Sequence, residues 1–454
     1  MADAGELAPR ARICIDFGTA VSKACLCLDP AMPLEAGVRP IPIGAVSGAD
    51  HTLFSPSVLF VDSGRLHFGP NALRRAHGAL EGGGDPLLSF KTVLGAQDVE
   101  AALATRIRPS ADPTGTFRQR DALVLYLAYL DQLITEALTR MGDLPIGVGR
   151  ARRRYTSPVW RAGDGRDRVF EGIFNEAAAV SLKLGRLLLA AEGTSIAQCR
   201  DALDRARANP GNGRLETGVF EPHAAAATAL AYTNEPTRVV MVIDIGAGTT
   251  DIAAFEFDDR ADPPALGEIK EARQCSGLAG DEIDRLIINL LAKKRGIIDK
   301  EDQARFLRTA RLAARELKQE FFTHGRITFK DGWRTSSIRA SDFNEDQQVK
   351  AFLNALGNTI AKSLAIVAER ARRLHARPFD IVLAGGGANL PFLPQLVRAA
   401  AQHAAPWAVD IRVGPLSPAN PLYSGVDPYF ADVFPQIAIS VGGSLVEMIG
   451  APAG

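Results

Sequence analysis

The amino-acid sequence predicts an α/β protein with a duplicated fold, because two similar strand-turn segments stand far apart in a chain of alternating strands and helices. The segments are residues 13–23 and 239–251. In each, an apolar run ends at an aspartate, Asp16 or Asp244, and a glycine follows two residues later. A third glycine-rich turn, 385–387, follows another apolar run. We therefore expect two lobes that face each other across a cleft.

The elements can be assigned in order from local patterns. Apolar runs on both sides of the first turn predict strands at about 12–18 and 22–28. Apolar residues at helical spacing, as in 122–140, predict helices. The other expected strands are 58–61, 65–68, 152–159 and 327–329, with a buried strand at 381–383, and the other expected helices are 168–189, 222–232, 280–294, 301–322 and 348–376. Loops are expected at 82–86 and 209–213, and a closing helix at 435–450 interrupted at Gly442 and Gly443.

The domain organisation follows from the positions of the two segments. We expect a disordered leader at 1–11, lobe I at 12–215 and lobe II at 216–454. A chain of 454 residues has ample material for two such domains.

Composition excludes several function classes. Basic and acidic residues number 52 each, so no net field favours nucleic acid or an anionic membrane. The basic cluster 150–154 is more simply a solvated face. The five cysteines lack CxxC spacing and indicate a reducing, cytoplasmic setting. We expect no signal peptide, no membrane span and no nucleic-acid partner.

The two glycine turns have the chemistry of phosphate loops. Glycine at a hairpin tip lets backbone N–H groups approach phosphate oxygens closely. Thr19 and Thr249 can add hydroxyl donors. Asp16 and Asp244, at the ends of the leading strands, can hold Mg²⁺ through its water shell.

With these motifs in this order, the chain resembles the actin / 70-kDa heat-shock protein / sugar-kinase ATPase superfamily, and most closely a heat-shock-70-type nucleotide-binding domain. The resemblance runs from about residue 11 to about residue 447. It implies an actin-like ATPase fold with two lobes around a nucleotide cleft, and ATP/ADP and Mg²⁺ as cofactors. The implied cofactor-binding residues are Gly18, Thr19, Ala20, Val21 and Lys23 in the first loop, Gly246, Ala247, Gly248 and Thr249 in the second, and Gly385, Gly386, Gly387 and Asn389 in the adenosine segment.

The resemblance also implies a catalytic set. Glu221 precedes a proline and an alanine run, like the family glutamate at the attacking water. Lys91 looks like the chaperone lysine that reaches the transferring phosphate, and Lys23 has the spacing of actin's phosphate-binding lysine. Asp16, Asp244 and Thr249 complete this set, with Asp16 and Asp244 also as metal-side carboxylates.

Adenine recognition departs from the family pattern. Arg315 aligns with the arginine that stacks on the base, and Lys318 lies on the same helix. The acidic residue expected one turn earlier is replaced by Arg311 or Leu312. Asn389 replaces the second stacking arginine. The other departures are Gln436 for an acidic residue, Ala20 for a threonine and Ala247 for a glycine.

Three function hypotheses remain open. The first is a slow Mg-dependent ATPase that acts as a conformational switch, chaperone-like through an unidentified protein partner; Pro158 and Arg166 have the spacing of the family's coupling pair. The second is an actin-like filament former, and the third is a nucleotide-binding pseudo-enzyme scaffold. A sugar or acid kinase is less favoured, because no acceptor-binding motif is apparent. No substrate-binding domain follows the closing helix in this sequence, so we expect no peptide holding in cis.

Overall fold

The computed structural model describes residues 11–445 apart from several short segments. These segments are 30–31, 33, 45–51, 80–83, 143, 146, 159–164, 212–214, 232–237, 259–264, 297–298, 333, 376–378, 407–410 and 418–427. Nearly all of the predicted leader, the first part of the 82–86 loop, the end of the 209–213 loop and the end of the closing helix lie outside the described residues.

The described chain contains strands and helices throughout both halves. The strands are β1 Arg12–Asp16, β2 Val21–Cys27, β3 Val38–Pro40, β4 Ser55–Pro56, β5 Leu59–Asp62, β6 Arg65–Phe68, β7 Arg152–Ser157, β8 Thr194–Ser195, β9 Val219–Phe220, β10 Val239–Ile245, β11 Thr250–Asp258, β12 Ala265–Glu268, β13 Gln274–Ser276, β14 Arg326–Asp331, β15 Arg334–Arg339, β16 Phe379–Ala384 and β17 Ile411–Pro415. The helices are α1 Leu34–Gly37, α2 Gly69–Gly78, α3 Val99–Ala104, α4 Gln119–Arg140, α5 Arg166–Leu184, α6 Ile196–Ala208, α7 Glu221–Ala231, α8 Gly280–Arg295, α9 Lys300–Leu312, α10 Ala314–His324, α11 Ala340–Glu345, α12 Gln347–Arg373, α13 Leu393–Ala404 and α14 Pro428–Ser444.

The predicted duplication is confirmed by the topology of two sheets. In the first, β1 pairs antiparallel with β2 and parallel with β7, and β7 pairs parallel with β9. In the second, β10 pairs antiparallel with β11 and parallel with β16, and β16 pairs parallel with β17. Each sheet therefore has a hairpin followed by two parallel strands, which is the α/β fold that the sequence predicts.

Helices α7 and α14 lie in a hydrophobic core that the two sheets share. This core joins Cys25 and Cys27 of β2 to Val240 and Val242 of β10 through the alanines of α7 and the apolar residues of α14. The outer face of each sheet has its own core, with α4, α5 and α6 in lobe I and α8, α10, α12 and α13 in lobe II. The ends of β1 and β10, where the aspartates stand, are thereby fixed relative to each other.

The predicted single helix at 301–322 is wrong, because the chain breaks between α9 and α10. Ala313 ends one helix and begins the next with φ −94° and ψ 5°. Phe306 and Ala310 of α9 pack in the core of lobe II, as α10 does. Leu312 packs with Val58 and Phe60 of lobe I, whereas Phe321 packs in the core of lobe II.

The predicted interruption of the closing helix is also wrong, because α14 begins at Pro428 and continues through Gly442 and Gly443. A Cβ atom at Gly442 would collide with the carbonyl oxygen of Ala224, and one at Gly443 would collide with Cys14 Sγ. The glycine pair therefore allows close packing of α14 on α7 and β1 instead of ending the helix. The predicted helix at 168–189 is likewise shorter, since Leu184 ends α5 and a 3₁₀ turn, Gly185–Leu189, follows.

Two of the described helices are long and apolar enough to cross a membrane by length and composition. They are α4, in which 67% of the apolar 18-residue stretch is buried inside the protein, and α12, in which 39% of it is buried. The expectation of no membrane span stays a prediction. Buried core helices pass the same test, and α4 lies in the core of lobe I, so the two helices do not establish a span.

Candidate functional site

The first glycine turn brings an aspartate and a lysine together. Asp16, the last residue of β1, lies directly opposite Lys23 in the β1–β2 ladder. Lys23 Nζ donates to Asp16 Oδ2 at 2.9 Å, and Thr156 Oγ1 donates to Oδ1 at 3.3 Å. Both members of the ion pair are buried. The turn itself is formed by Gly18, Thr19 and Ala20, with Val21 as the first residue of β2.

The second glycine turn places two carboxylates opposite each other. Asp244 of β10 pairs with Asp251 of β11, and the turn Gly246–Thr249 joins the two strands. Thr249 Oγ1 donates to Asp251 Oδ2 at 2.8 Å. Asp251 was not among the predicted site residues, although its place at the end of the second motif was a signal that could have found it.

The two carboxylates fit a cation with its waters. Asp244 Oδ1 and Asp251 Oδ1 are buried and have no hydrogen-bond partner among the described residues. Buried polar atoms without a partner are uncommon in proteins and call for an explanation such as an ion or water. Oxygen acceptors in this arrangement suit hydrated Mg²⁺.

The tips of the two turns face each other. A Cβ atom added at Gly248 would lie 3.2 Å from Thr19 Oγ1 and 3.2 Å from Thr92 Cγ2. Glycine at this position keeps the backbone of the second turn accessible where lobe I approaches it. The two phosphate-type loops, about 230 positions apart in sequence, thus lie next to each other.

Lys91 and Glu221 form a buried ion pair beside these turns. Lys91 lies in the 3₁₀ turn Phe90–Gly95, and Glu221 is the first residue of α7. Lys91 Nζ donates to Glu221 Oε1 at 2.7 Å and lies 5.6 Å from the ring centroid of Phe17. Only 7% of Lys91 and 6% of Glu221 are exposed, so the charges are held inside the protein.

The electrostatics link all of these groups. Burial disfavours the charged form of Lys91, but the carboxylates of Glu221 and Asp16 outweigh burial and raise its pKa. Burial raises the pKa of Asp244 well above its ordinary value, and the carboxylates of Glu221 and Asp251 raise it further, while Lys23 opposes them. The acidic groups of the two lobes are therefore close enough to repel one another.

The third glycine turn supports the second. Gly385 has a positive φ of 78°, and a Cβ atom there would collide with Asp244 Oδ1. The Gly387 N–H donates to the Ile245 carbonyl at 2.8 Å, and Gly386 is exposed. Asn389 Nδ2 donates to the Asp432 carbonyl at 2.9 Å, which connects this turn to α14.

The predicted adenine-side residues lie on α10. Lys318 Nζ lies 3.0 Å from Asp284 Oδ1 and donates to the Gly280 carbonyl at 3.3 Å. The Gly280 N–H in turn donates to the Gly246 carbonyl at 3.0 Å. Lys318 is therefore linked to the second turn through Gly280. Burial raises the pKa of Asp284, and the positive charges of Lys318 and Arg315 oppose this rise.

The sequence did not predict the contacts that join the two lobes near these turns. Ser89 Oγ donates to Asp281 Oδ2 at 2.9 Å, and the Asp281 N–H donates to the Ala247 carbonyl at 2.7 Å. Arg308 Nη2 donates to the Gly84 carbonyl at 2.7 Å, and Arg308 Nε lies 3.3 Å from Asp85 Oδ1. The segment that carries Lys91 is therefore connected to the second phosphate-type turn through Asp281.

The remaining predicted residues lie next to these elements. Arg166 Nη2 donates to the carbonyl of Ala96, just after the Lys91 turn, at 3.0 Å. Pro158 is half-buried at the end of β7, and Gln436 is half-buried in α14.

A family model described as MreB/Mbl protein matches residues 179–410, which is just over half of the chain. Similarity is also found to curated chaperone proteins. A chaperone protein DnaK of Thermus thermophilus is 26% identical over 233 residues, covering 48% of this chain and 36% of that protein. The chaperone protein dnaK of Phaeodactylum tricornutum is 25% identical over 187 residues, covering 40% of this chain and 30% of that protein. The chain therefore spans about a third of the length of these curated relatives.

Proposed function

The chain belongs to the MreB/Mbl family, within the actin-like ATPase superfamily, and from this premise we propose that it is a slow Mg-dependent ATPase that acts as a nucleotide-driven conformational switch. The observation that carries the proposal is the buried ion pair between Lys91 and Glu221. It lies beside two glycine turns that meet at Gly248 and Thr19 and have carboxylates at their bases.

The residues have distinct roles in this proposal. Backbone N–H groups of the glycine turns, with the hydroxyls of Thr19 and Thr249, bind the phosphates. Asp16 and Asp244 hold Mg²⁺ through its waters, with Asp251 beside them. Bound Mg²⁺ neutralises phosphate charge and helps to orient the phosphates.

Nucleotide binding requires an exchange of ion-pair partners. Lys23 and Lys91 each contact a carboxylate in this structure. When the phosphates enter, each ammonium group turns toward phosphate oxygens. Glu221, released from Lys91, then accepts a hydrogen bond from the attacking water and orients it.

The two lobes report the nucleotide state by opening and closing. Ser89 and Arg308 make the contacts across the lobes that such a motion would break. We propose that a protein partner in the cytoplasm recognises the closed form, in a chaperone-like manner.

The test is release of phosphate from ATP by the purified chain, with and without Mg²⁺. Slow Mg-dependent release that Glu221→Gln strongly reduces would support the proposal. Turnover equal to that of buffer, with nucleotide binding intact, would overturn it in favour of a pseudo-enzyme scaffold.

A second candidate is an actin-like filament former. The MreB/Mbl match and the contact of Lys23 with Asp16 in the first loop favour it. Light scattering on addition of Mg-ATP tests this candidate, because a switch that acts as a monomer gives no rise in scattering.

A further inference from the structure

The two halves of the duplicated fold differ in the crossover connection between their two parallel strands that follow the hairpin. In lobe II, the connection from β16 to β17 contains the single helix α13 among its described residues. In lobe I, the corresponding connection from β7 to β9 contains α5, the turn Gly185–Leu189, β8 and α6. The segment from Gly185 to Ala208 is therefore an addition to the shared plan. None of the residues described at the nucleotide cleft belongs to this added segment, so the cleft does not account for it.

The added helix α6 forms one wall of an open cavity on lobe I. The helix packs on α4 and α5, and the cavity between them and α3 has a volume of about 580 Å³. Its floor is apolar and is formed by Leu103, Phe117 and Leu203, which are all buried. A cavity of this volume is in the range that binds small molecules.

The guanidinium groups at the cavity differ in whether they form an ion pair. Arg207 contacts the carboxylates of both Asp121 and Asp204, and Arg120 contacts Glu176, so both of these guanidinium groups already have ion-pair partners. Two other guanidinium groups line the cavity, those of Arg118 and Arg200.

These two guanidinium groups are the ones available to a ligand. The Arg118 guanidinium donates to a backbone carbonyl, that of Ala104, at 2.9 Å, and forms no ion pair within the described residues. Arg200 is exposed and has no hydrogen-bond or ion-pair partner in the described part of the chain. One acidic side chain without an ion pair among those residues, Glu100, opposes them. Among the lining side chains, four guanidinium groups stand against three carboxylates, since Glu176, the partner of Arg120, does not line the cavity.

We propose that this cavity is a second binding site, for a small molecule with an apolar body and one carboxylate or phosphate group. The apolar body contacts Leu103, Phe117 and Leu203. The anionic group accepts hydrogen bonds from Arg200 and Arg118, since guanidinium groups bind carboxylates and phosphates in a bidentate manner.

The site is close to the segment that carries Lys91. The wall helix α3 begins four residues after the Lys91 turn ends. Between them, Ala96 accepts the hydrogen bond from Arg166, and Val169 of the same helix α5 lines the cavity. A ligand that shifts α3 or α5 therefore acts on the Lys91 turn. This coupling rests on the proposed nucleotide function, whereas the binding itself does not.

The binding test uses phenyl phosphate and benzoate as anionic probes and benzyl alcohol as the neutral control, measured by ligand-observed NMR titration. At least one anion should bind saturably with a Kd of about 1 mM, which is typical for a ligand of this size. Arg200→Gln should weaken that binding by about tenfold, as expected for a lost charge-assisted hydrogen bond. Arg398→Gln, a change on α13 of lobe II, should leave it unchanged.

Several results would overturn the site. These are the absence of saturable binding by both anions, equal binding of benzyl alcohol, and binding that is insensitive to Arg200→Gln. Phenyl phosphate alone as the bound probe would identify a phosphate site, and benzoate alone a carboxylate site. Arg200 is exposed, so the variant should fold, and its thermal melt verifies this.

The coupling test measures ADP affinity with and without the saturating probe. An affinity change in the wild type that is absent in Arg200→Gln supports coupling, and by linkage ADP must change probe affinity by the same factor. Equal ADP affinities would overturn the coupling and leave the binding site in place. Failure of ADP to bind at all would count against the proposed function and not against the site.

Discussion

Lys91 and Glu221 donate and accept a hydrogen bond of 2.7 Å although 130 positions separate them in the chain. One belongs to a 3₁₀ turn on lobe I, and the other begins the helix that enters the shared core. Both are almost fully buried. Removal of one partner from a buried ion pair leaves an uncompensated charge in the protein interior. The stability of the free protein therefore depends on the same two residues as its proposed catalysis.

Lys91→Met should destabilise the nucleotide-free protein by about 3 kcal/mol, because it leaves the Glu221 carboxylate buried without its partner. The double variant Lys91→Met/Glu221→Gln should recover most of that loss, since no unpaired charge remains. Urea unfolding of the two single variants and the double variant measures the coupling. Additive losses would mean that the two side chains do not interact in solution.

Glu221→Gln should reduce the rate of ATP hydrolysis about 100-fold, the usual contribution of a general base, while ATP affinity is retained. The amide preserves the shape of the side chain but cannot take a proton from water. Steady-state phosphate release and equilibrium ATP binding separate the two effects. A variant with unchanged kcat would exclude Glu221 as the base.

Mg-ATP or Mg-ADP should raise the melting temperature, because a ligand that binds only the folded state stabilises it by about 2.7 kcal/mol at a hundredfold excess over Kd. EDTA should reduce the shift if Asp16 and Asp244 support the metal. Differential scanning fluorimetry at millimolar nucleotide is sufficient. The absence of any shift would contradict nucleotide binding.

The duplicated architecture was accessible from sequence because its signals are local. An apolar run, an aspartate and a glycine turn define each hairpin, as at Asp16 and Gly18, and the order of the motifs implied the pairing of lobes. Contacts between distant segments were not accessible. Nothing near Ser89 indicates that its hydroxyl contacts Asp281, 192 positions away.

The errors in the element assignments also have a physical cause. Ala313 is a good helix former, so its identity gives no local signal for the break between α9 and α10. Gly442 and Gly443 suggested a weak point in the helix, whereas tertiary packing requires residues without side chains there.

Gly442→Ala should destabilise the protein by about 3 kcal/mol, because the added methyl group meets the Ala224 carbonyl and Thr228 Oγ1. The matched control is Gly78→Ala in α2, where an added Cβ atom has nothing within 4 Å. The control should stabilise the protein by about 0.5 kcal/mol, as expected for glycine-to-alanine changes in helices. Chemical denaturation of both variants tests the difference, and equal stabilities would contradict the close contact of α14 with α7.

The stability of the nucleotide-free protein should fall as pH rises above about 4, in part because of Asp244. Its folded-state pKa is raised above the ordinary value of 3.8, first by burial and then by Glu221 and Asp251. The folded state therefore binds more protons than the unfolded state, and this contribution is lost as pH rises through the folded-state pKa. Asp244→Asn should flatten the dependence. Unfolding free energies of both proteins at several pH values measure the difference, and parallel curves would show that Asp244 is not perturbed.

Asp244→Ala should disable the proposed site more than any change in the adenine-side residues. Asp244 ends the apolar run of the buried strand β10, faces the carboxylates of Glu221 and Asp251, and has an oxygen without a partner among the described residues. Its loss removes the lobe II support for Mg²⁺ and disturbs the geometry of all the phosphates. Arg315, by contrast, would contribute one stacking contact to the base, worth about 1 kcal/mol.

The comparison is the ATPase rate and ATP affinity of Asp244→Ala against those of Arg315→Ala. Arg315→Ala should weaken ATP affinity about fivefold and leave kcat nearly unchanged, because a base contact is equal in the ground state and the transition state. Asp244→Ala should lower kcat itself. Asp244→Asn, which keeps the volume of the side chain, distinguishes the loss of charge from the loss of volume. If Arg315→Ala lowers kcat more than Asp244→Ala does, then catalysis does not depend on the carboxylates at the two phosphate-type turns.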